Sequence, residues 1–264
     1  MKILNPEFNL EAFWRKVQRA TKRLLLLDYD GTLAPFRVER DRAIPYPGVR
    51  EIIRQLLKEP DLKIIIISGR QAEEVVELLG LKHHPEIWGV HGMERLSEKD
   101  ELSSLTLSPR AEKALEQAAE KAESLGLAKT MEKKSVSIAF HTRNMNKSET
   151  DKINNIVTLK IFPITAGTGM ELHPFDGGLE IRSGAVNKGD AVNTIFEELG
   201  NDKDVAAAYL GDDFTDEDAF LAIKGRGAAV LVRDELRKTA ADLWIRPPDE
   251  LLEFLSRWKK RSTR

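Results

Sequence analysis

The sequence predicts an α/β fold built on a parallel sheet and interrupted near its middle by an α+β insert. Three observations predict it. Apolar runs at 24–27 and 64–67 lack polar alternation, as strands buried on both faces do. Segments with apolar residues at helical spacing separate such runs, in the order of a strand–helix–strand succession. From about residue 104 to 182 this rhythm gives way to helical patterns and glycine-broken β-like stretches, and then it resumes.

The elements follow in order. Phe8, Ala12, Phe13 and Val17 stand at helical spacing and give a helix over 6–20, which leads into the strand at 24–27. A helix at 49–58, a strand at 64–67 and a helix at 71–79 repeat the pattern. The insert reads as an Ala/Glu/Lys-rich helix at 109–125, a strand at 136–141 and a helix at 147–158. Short strands follow, broken by Gly167, Gly169, Gly177 and Gly178. A helix at 189–199, a strand at 205–210, a helix at 216–223, a strand at 227–232 and a closing helix at 249–258 restore the α/β order. The expected organisation is a discontinuous core at 1–103 and 183–264 around an insert at 104–182. The basic tail at 259–264 reads as a solvated helix end.

Composition narrows the function classes. The 264 residues suffice for one large domain or two smaller ones, and 32% charged with 41% hydrophobic residues is a globular balance. With 41 basic and 43 acidic side chains, the net charge of -2 provides no long-range field to gather nucleic acid or anionic lipid. The absence of cysteine excludes thiol nucleophiles, disulfides and thiolate metal sites, so a bound metal would be a hard one. The apolar runs are far shorter than the ~20 residues that span a bilayer. The first residues lack the basic, apolar and small-residue succession of a secretory signal, so the expected address is cytoplasmic.

Four motifs stand where predicted strands end. Asp28-Tyr29-Asp30-Gly31-Thr32 follows the first apolar run, and ligands of open α/β sheets bind beyond the carboxyl ends of strands. Ser68-Gly69-Arg70 follows the second run and precedes a helix whose N-terminal amides suit an anion. Lys188 opens a helix, where a cation opposes the helix dipole unless an anion lies against it. Gly211-Asp212-Asp213-Phe214-Thr215-Asp216-Glu217 crowds carboxylates whose mutual repulsion calls for a cation. Singly these are the residues of a tight turn, a helix cap, a surface lysine and a dipole-favoured acidic turn. Together, on one sheet edge, they form a set.

In order and chemistry the set resembles the four motifs of the haloacid-dehalogenase superfamily, whose Rossmann-like core carries an inserted cap. DYDGTLAP, SGR, GVHGMER and GDDFTDED together resemble the trehalose-phosphatase family over nearly the whole chain. That resemblance implies a Mg²⁺-dependent phosphatase acting on trehalose 6-phosphate, a small sugar phosphate, through an aspartyl phosphate. It implies Asp28 as nucleophile and Asp30 as proton shuttle, with Ser68, Gly69 and Lys188 holding the phosphoryl group and Thr32 fixing the loop. The metal would be bound by Asp28, the backbone carbonyl of Asp30 and Asp212, with Asp213 or Asp216 acting directly or through water. Substrate contacts are expected from Arg70, His91 and Gly92. Further contacts come from the insert, where Glu132-x-Lys134, His141-Thr142-Arg143 and Glu180 resemble the family's sugar-binding positions. Thr142 and Ser183 depart from that pattern, standing where the family often has an aromatic residue and a proline. His83, His84 and His173 match no motif and read as surface or packing residues. The competing functions are another sugar-phosphate phosphatase, on a sucrose, glucosylglycerate or mannosylglycerate phosphate, a phosphomutase, and a non-enzymatic sensor.

Overall fold

A computed structural model describes residues 1–37, 39–175, 177–200 and 204–259. Of the predicted basic tail, residues 260–264 lie outside the described residues. The chain divides into two compact units, Met1–Ser103 with Asn187–Arg264, and Ser104–Val186.

The first unit holds β1 (Lys2–Ile3), α1 (Leu10–Arg19), β2 (Arg23–Leu27), α2 (Val49–Leu56), β3 (Leu62–Ile67), α3 (Ala72–Leu79), β4 (Glu86–Gly89) and β5 (Glu94–Leu96), with β6 (Leu102–Ser104) at the junction. The second holds α4 (Pro109–Ser124), β7 (Met131–Lys133), β8 (Ser137–His141), α5 (Lys147–Ile156), β9 (Met170–Phe175) and β10 (Gly178–Ser183). The first then resumes with α6 (Lys188–Glu198), β11 (Ala206–Gly211), α7 (Glu217–Ile223), β12 (Gly227–Val232), β13 (Leu243–Ile245) and α8 (Asp249–Ser256).

The large sheet runs β1-β13-β12-β11-β2-β3-β4-β5-β6, and from β13 to β4 every neighbouring pair is parallel. Its central strands are buried on both faces, which is why they read as unbroken apolar runs. Leu25, Leu27, Ile64, Ile66, Ala208 and Leu210 pack under α1, α2, α3 and α8. Leu24, Leu26, Ile65, Ile67, Ala207 and Tyr209 pack under α6 and α7. Each fully buried Leu or Ile contributes roughly 1.5–3 kcal/mol. Among the described residues no helix is long and apolar enough to cross a membrane.

The structure corrects several boundaries. The first helix starts at Leu10 rather than residue 6, because Asn9 caps it by accepting from Ala12 N. The second junction falls after residue 186, because β10 to its last residue, Ser183, pairs with β9 of the insert. After α5 the coil continues as a π-helical turn at Val157–Ile161 and a 3-10 turn at Phe162–Thr165, so the buried stripe of Ile153, Val157 and Ile161 runs on past residue 158. Strands β1, β4, β5, β6, β7 and β13 escaped the sequence reading: at two to four residues they are too short to carry a periodic signal.

Candidate active site

Strand β2 lies between β3 on one side and β11 on the other, so the chain order reverses beside it. At such a switch point the loops leave opposite ways and open a crevice beyond the carboxyl ends. Asp28 follows β2 there, and Asp212 follows β11. The backbone N–H of Asp28 donates to Leu210 O at 2.8 Å, continuing the ladder up to the site.

Oxygens of Asp28, Asp212 and Asp216 lie within 4.8 Å of one another, all three residues buried. Lys188, also buried, donates to Asp28 Oδ1 at 2.6 Å and to Asp216 Oδ1 at 2.7 Å. These carboxylates are the anions that make a cation at the start of α6 favourable. Burial opposes the ammonium, but Asp216 and Asp28 outweigh it and hold Lys188 above its usual range. Asp216 is further bonded by the Tyr209 hydroxyl at 2.6 Å and by the N–H groups of Asp212 and Asp213, each at 2.9 Å. Burial alone would raise Asp216, yet Lys188 and these donors bring it below its ordinary value. Gly211 makes room for it, since a Cβ there would lie 2.4 Å from the Asp216 carboxyl carbon.

Asp28 and Asp212 are left short of charge compensation. Burial pushes Asp28 up to about 7 against the pull of Lys188. Burial and then Asp28, Asp216 and Asp213 push Asp212 well above the usual carboxylate range. Asp212 Oδ2 is buried and accepts no hydrogen bond among the described residues; Arg233 Nη1 is 3.8 Å from it. That oxygen lies over Gly31, whose φ of +79° suits glycine and where a Cβ would lie 2.2 Å away. Three buried carboxylates facing one ammonium, with one oxygen unbonded, fit a hard divalent cation. Asp213 lies outside this cluster, its side chain capping the next turn by accepting from Phe214 N at 2.6 Å.

Asp30 is gripped by Arg70, which donates Nε to Oδ2 at 2.6 Å and Nη2 to Oδ1 at 2.8 Å and also pairs with Glu74. Arg70, expected at the substrate, is thus bound to the second aspartate of the first motif. The loop itself is closed by its backbone: Leu33 N and Ala34 N donate to Tyr29 O, and Gly31 N to Ala34 O. Thr32, expected to fix this loop, has a buried hydroxyl with no hydrogen-bond partner among the described residues.

Ser68 is buried at the end of β3, its Oγ accepting from Arg70 N at 3.1 Å. The anion at the N-terminus of α3 is the chain's own Glu94, which accepts from Ala72 N at 3.1 Å. The GVHGMER segment clips this loop. Val90 N donates to Arg70 O and His91 N to Ser68 O, both at 2.8 Å. The buried His91 ring covers Gly69, where a Cβ would lie 2.7 Å from His91 Cε1. Val90 and His91 take φ of 46° and 58° and Gly92 takes 107°. Left-handed backbone at the two non-glycine residues costs about 1–3 kcal/mol each, a strain retained mainly at functional turns.

The second unit has its own polar cluster. Register aligns Glu132 with Ala139 and Ala139 with Glu180, so these residues share one sheet face with Ser137, His141 and Arg182. Lys134 donates to Glu180 Oε1 at 3.0 Å, Ser137 Oγ to the same oxygen at 2.7 Å, and His141 Nε2 bonds Glu132 at 2.7 Å. Arg143 packs against Gly177, where a Cβ would lie 2.9 Å from its Nε. The opposite face, with Ile138, Phe140 and Ile181, packs on α4 and α5.

Against known proteins, the family model described as trehalose-phosphatase matches residues 26–240, most of the chain. The chain belongs to the trehalose-phosphatase family. It is therefore a phosphatase, a hydrolase of phosphoric esters. Within the family it is 30% identical to a probable trehalose-phosphate phosphatase of Oryza sativa subsp. japonica, over 93% of this chain and 69% of that protein. A trehalose-6-phosphate phosphatase C-terminal domain of C. albicans superposes with a TM-score of 0.78 at 22% identity, covering 98% of this chain and 99% of that one. A haloacid dehalogenase-like hydrolase of Bacteroides thetaiotaomicron shares the fold at a TM-score of 0.64 and 15% identity, over 89% of this chain and 99% of that one.

Several residues of this family member's sites escaped the sequence reading. Tyr209 reads as a core strand residue, and Glu94 and Arg237 act over long sequence separations. His173, read as a surface or packing residue, stands opposite Glu180 in register on the polar face. Burial and then Arg182 lower its pKa. Period-two alternation with buried Met170 and partly buried Leu172 was the signal that would have found it.

Proposed function

We propose that the chain hydrolyses trehalose 6-phosphate to trehalose and phosphate, with Mg²⁺ as cofactor and Asp28 as nucleophile. The observation that carries this reading is the buried cluster of Asp28, Asp212 and Asp216 around Lys188 at the sheet's switch point. Family membership supports the sugar phosphate as substrate.

Asp28 attacks phosphorus, forming an O–P bond as the bond from phosphorus to the sugar oxygen breaks. Splitting one difficult hydrolysis into two displacements lowers each barrier. Asp30 hands a proton to the leaving oxygen and later takes one from the water that attacks the aspartyl phosphate, releasing phosphate and restoring Asp28. Arg70 orients Asp30 with its two-pronged grip. Lys188 pulls Asp28 toward its ionised form against its burial and, with Ser68 and the Gly69 backbone, holds the transferring oxygens. Asp28, Asp212 and the Asp30 carbonyl would hold Mg²⁺, which when bound supplies charge neutralisation for the phosphoryl group. Asp216, with both carboxylate oxygens already hydrogen-bonded, serves as an organiser of the turn and of Lys188.

The second unit acts as a specificity cap. Glu132, Lys134, Arg143 and Glu180 offer charged donors and acceptors to sugar hydroxyls, each such bond contributing about 1.5–3 kcal/mol. The test is phosphate release by purified protein with Mg²⁺ from trehalose 6-phosphate and from glucose 6-phosphate, with a chelator control. Strong preference for the trehalose ester is expected. Equal rates would sink the substrate assignment, and no release from any sugar phosphate would sink the enzymatic reading.

A further inference from the structure

We propose that Arg237 is a positioning residue for the cation site, setting the direction of the Asp212 carboxylate through the main chain of the acidic turn. This rests on the reading of Asp28 and Asp212 as metal ligands.

Arg237 lies on the loop between β12 and β13, far from the motif in sequence. Its Nε donates to Asp212 O at 3.1 Å and its Nη2 to Asp213 O at 2.6 Å. Nη1 donates to Lys238 O at 2.9 Å and pairs with Glu217, whose other oxygen accepts from Ala240 N at 2.7 Å. The guanidinium carbon stands 4.9 Å from the centre of the Phe214 ring, and Phe214 is 59% exposed. One planar fork therefore grips two successive carbonyls of the turn, while Glu217 ties the turn to the same loop a second time.

The pattern of donors is informative. Arg237 directs them to peptide oxygens and to Glu217, whereas Asp212 Oδ2 accepts no hydrogen bond among the described residues. Arg233, at 3.8 Å, lies beyond hydrogen-bond reach of that oxygen, so among the described residues the peptide planes that Arg237 holds decide where it points. A fixed fork suits this task because its donors keep one geometry. The exposed Phe214 ring gives the fork an apolar surface to lie on, so the pairing does not depend on solvent-facing charge alone.

Charge and position predict opposite signs. A fixed cation close to a divalent-ion site opposes metal binding, so on charge alone Arg237→Ala would tighten Mg²⁺. Loss of an orienting partner weakens a metal typically 10- to 100-fold. The experiment is calorimetric titration of the metal-free full chain with Mg²⁺, with the fold checked by circular dichroism. We expect Kd to rise about tenfold or more in Arg237→Ala. In Arg237→Lys, which keeps the charge and stem but loses the fork, it should rise by a smaller factor. Should the alanine variant fail to fold, Arg237→Lys carries the test. Mg²⁺ affinity in the folded variant equal to or tighter than wild type overturns the proposal while leaving the metal reading intact. Wild type that takes up no Mg²⁺, like an Asp212→Asn control, overturns the metal reading and this proposal with it.

Discussion

The surroundings of two buried lysines, Lys188 in the candidate active site and Lys134 on the polar face of the second unit, differ in kind. Lys134 donates to Glu180 at 3.0 Å, with Ser137 donating to the same oxygen. Lys188 faces Asp28 and Asp216 together, and Asp212 completes a cluster of three carboxylates within 4.8 Å. The first sets opposite charges against each other within the fold; the second sets three carboxylates around Lys188, with Arg233 3.8 Å from Asp212 Oδ2, an oxygen that accepts no hydrogen bond among the described residues. Buried charge is tolerated when it is paired. A site with an excess of one sign is one that stability alone would not select, and on the proposed reading that excess recruits a cation to the phosphoryl group. Matched pairs of the other kind can still present their remaining donors and acceptors to neutral hydroxyls, which suits sugar selection.

The contrast can be broken most severely at Asp28. Asp28→Asn removes the proposed nucleophile and should lower phosphate release on the order of 10⁴-fold or more, because residues that act as one catalytic unit lose nearly everything together. A colorimetric phosphate assay with saturating Mg²⁺ checks it, and residual activity within tenfold of wild type would exclude Asp28 as the attacking group.

The stability of the metal-free protein sharpens the same contrast through opposite signs. Lys134→Ala leaves Glu180 buried without its ammonium and should cost about 3–5 kcal/mol in urea unfolding. Asp212→Asn removes a buried charge with no hydrogen bond at Oδ2 and should instead stabilise the metal-free chain by roughly 1–3 kcal/mol, while abolishing Mg²⁺ uptake. Destabilisation by Asp212→Asn in the absence of metal would mean that the cluster is compensated within the fold.

What was legible in the sequence differs between the two regions for a physical reason. Asp28, Asp30, Ser68 and Asp212 are each fixed by the strand that precedes them, so a buried apolar run followed by a polar motif reveals them locally. Lys188 was legible through its conflict with the helix dipole, although its partners, Asp28 and Asp216, were not. Arg70 was visible as a motif residue, but its two-pronged grip on Asp30 spans forty positions and no local pattern reports it. Arg237 and Glu94 act on main-chain groups of distant turns and are chemically indistinguishable in sequence from surface residues. The polar face of the second unit depends on register between β7, β8, β9 and β10, and with short strands that register emerges only once the sheet is assembled. The place of His173 opposite Glu180 likewise emerges only with that register.

A carboxylate with too many donors should behave as the reverse of Asp212, and Glu86 provides the case with the smallest expected effect. Burial alone would raise Glu86, but bonds from Lys63 and from Trp88 Nε1, both at 2.8 Å, together with Arg95 at 2.8 Å, bring it below its ordinary value. A carboxylate lowered in the folded state contributes stability that is present above its unfolded value near 4.5 and is lost as pH falls through the folded one. Lys63 and Arg95 are about one-third exposed, so solvent screening limits the contribution to about 1 kcal/mol or less. Glu86→Gln should therefore be slightly less stable than wild type at pH 7 and converge with it near pH 3, read from urea midpoints across that range. A deficit that persists undiminished in acid would assign the effect to packing of Glu86 beside Trp88 rather than to its charge.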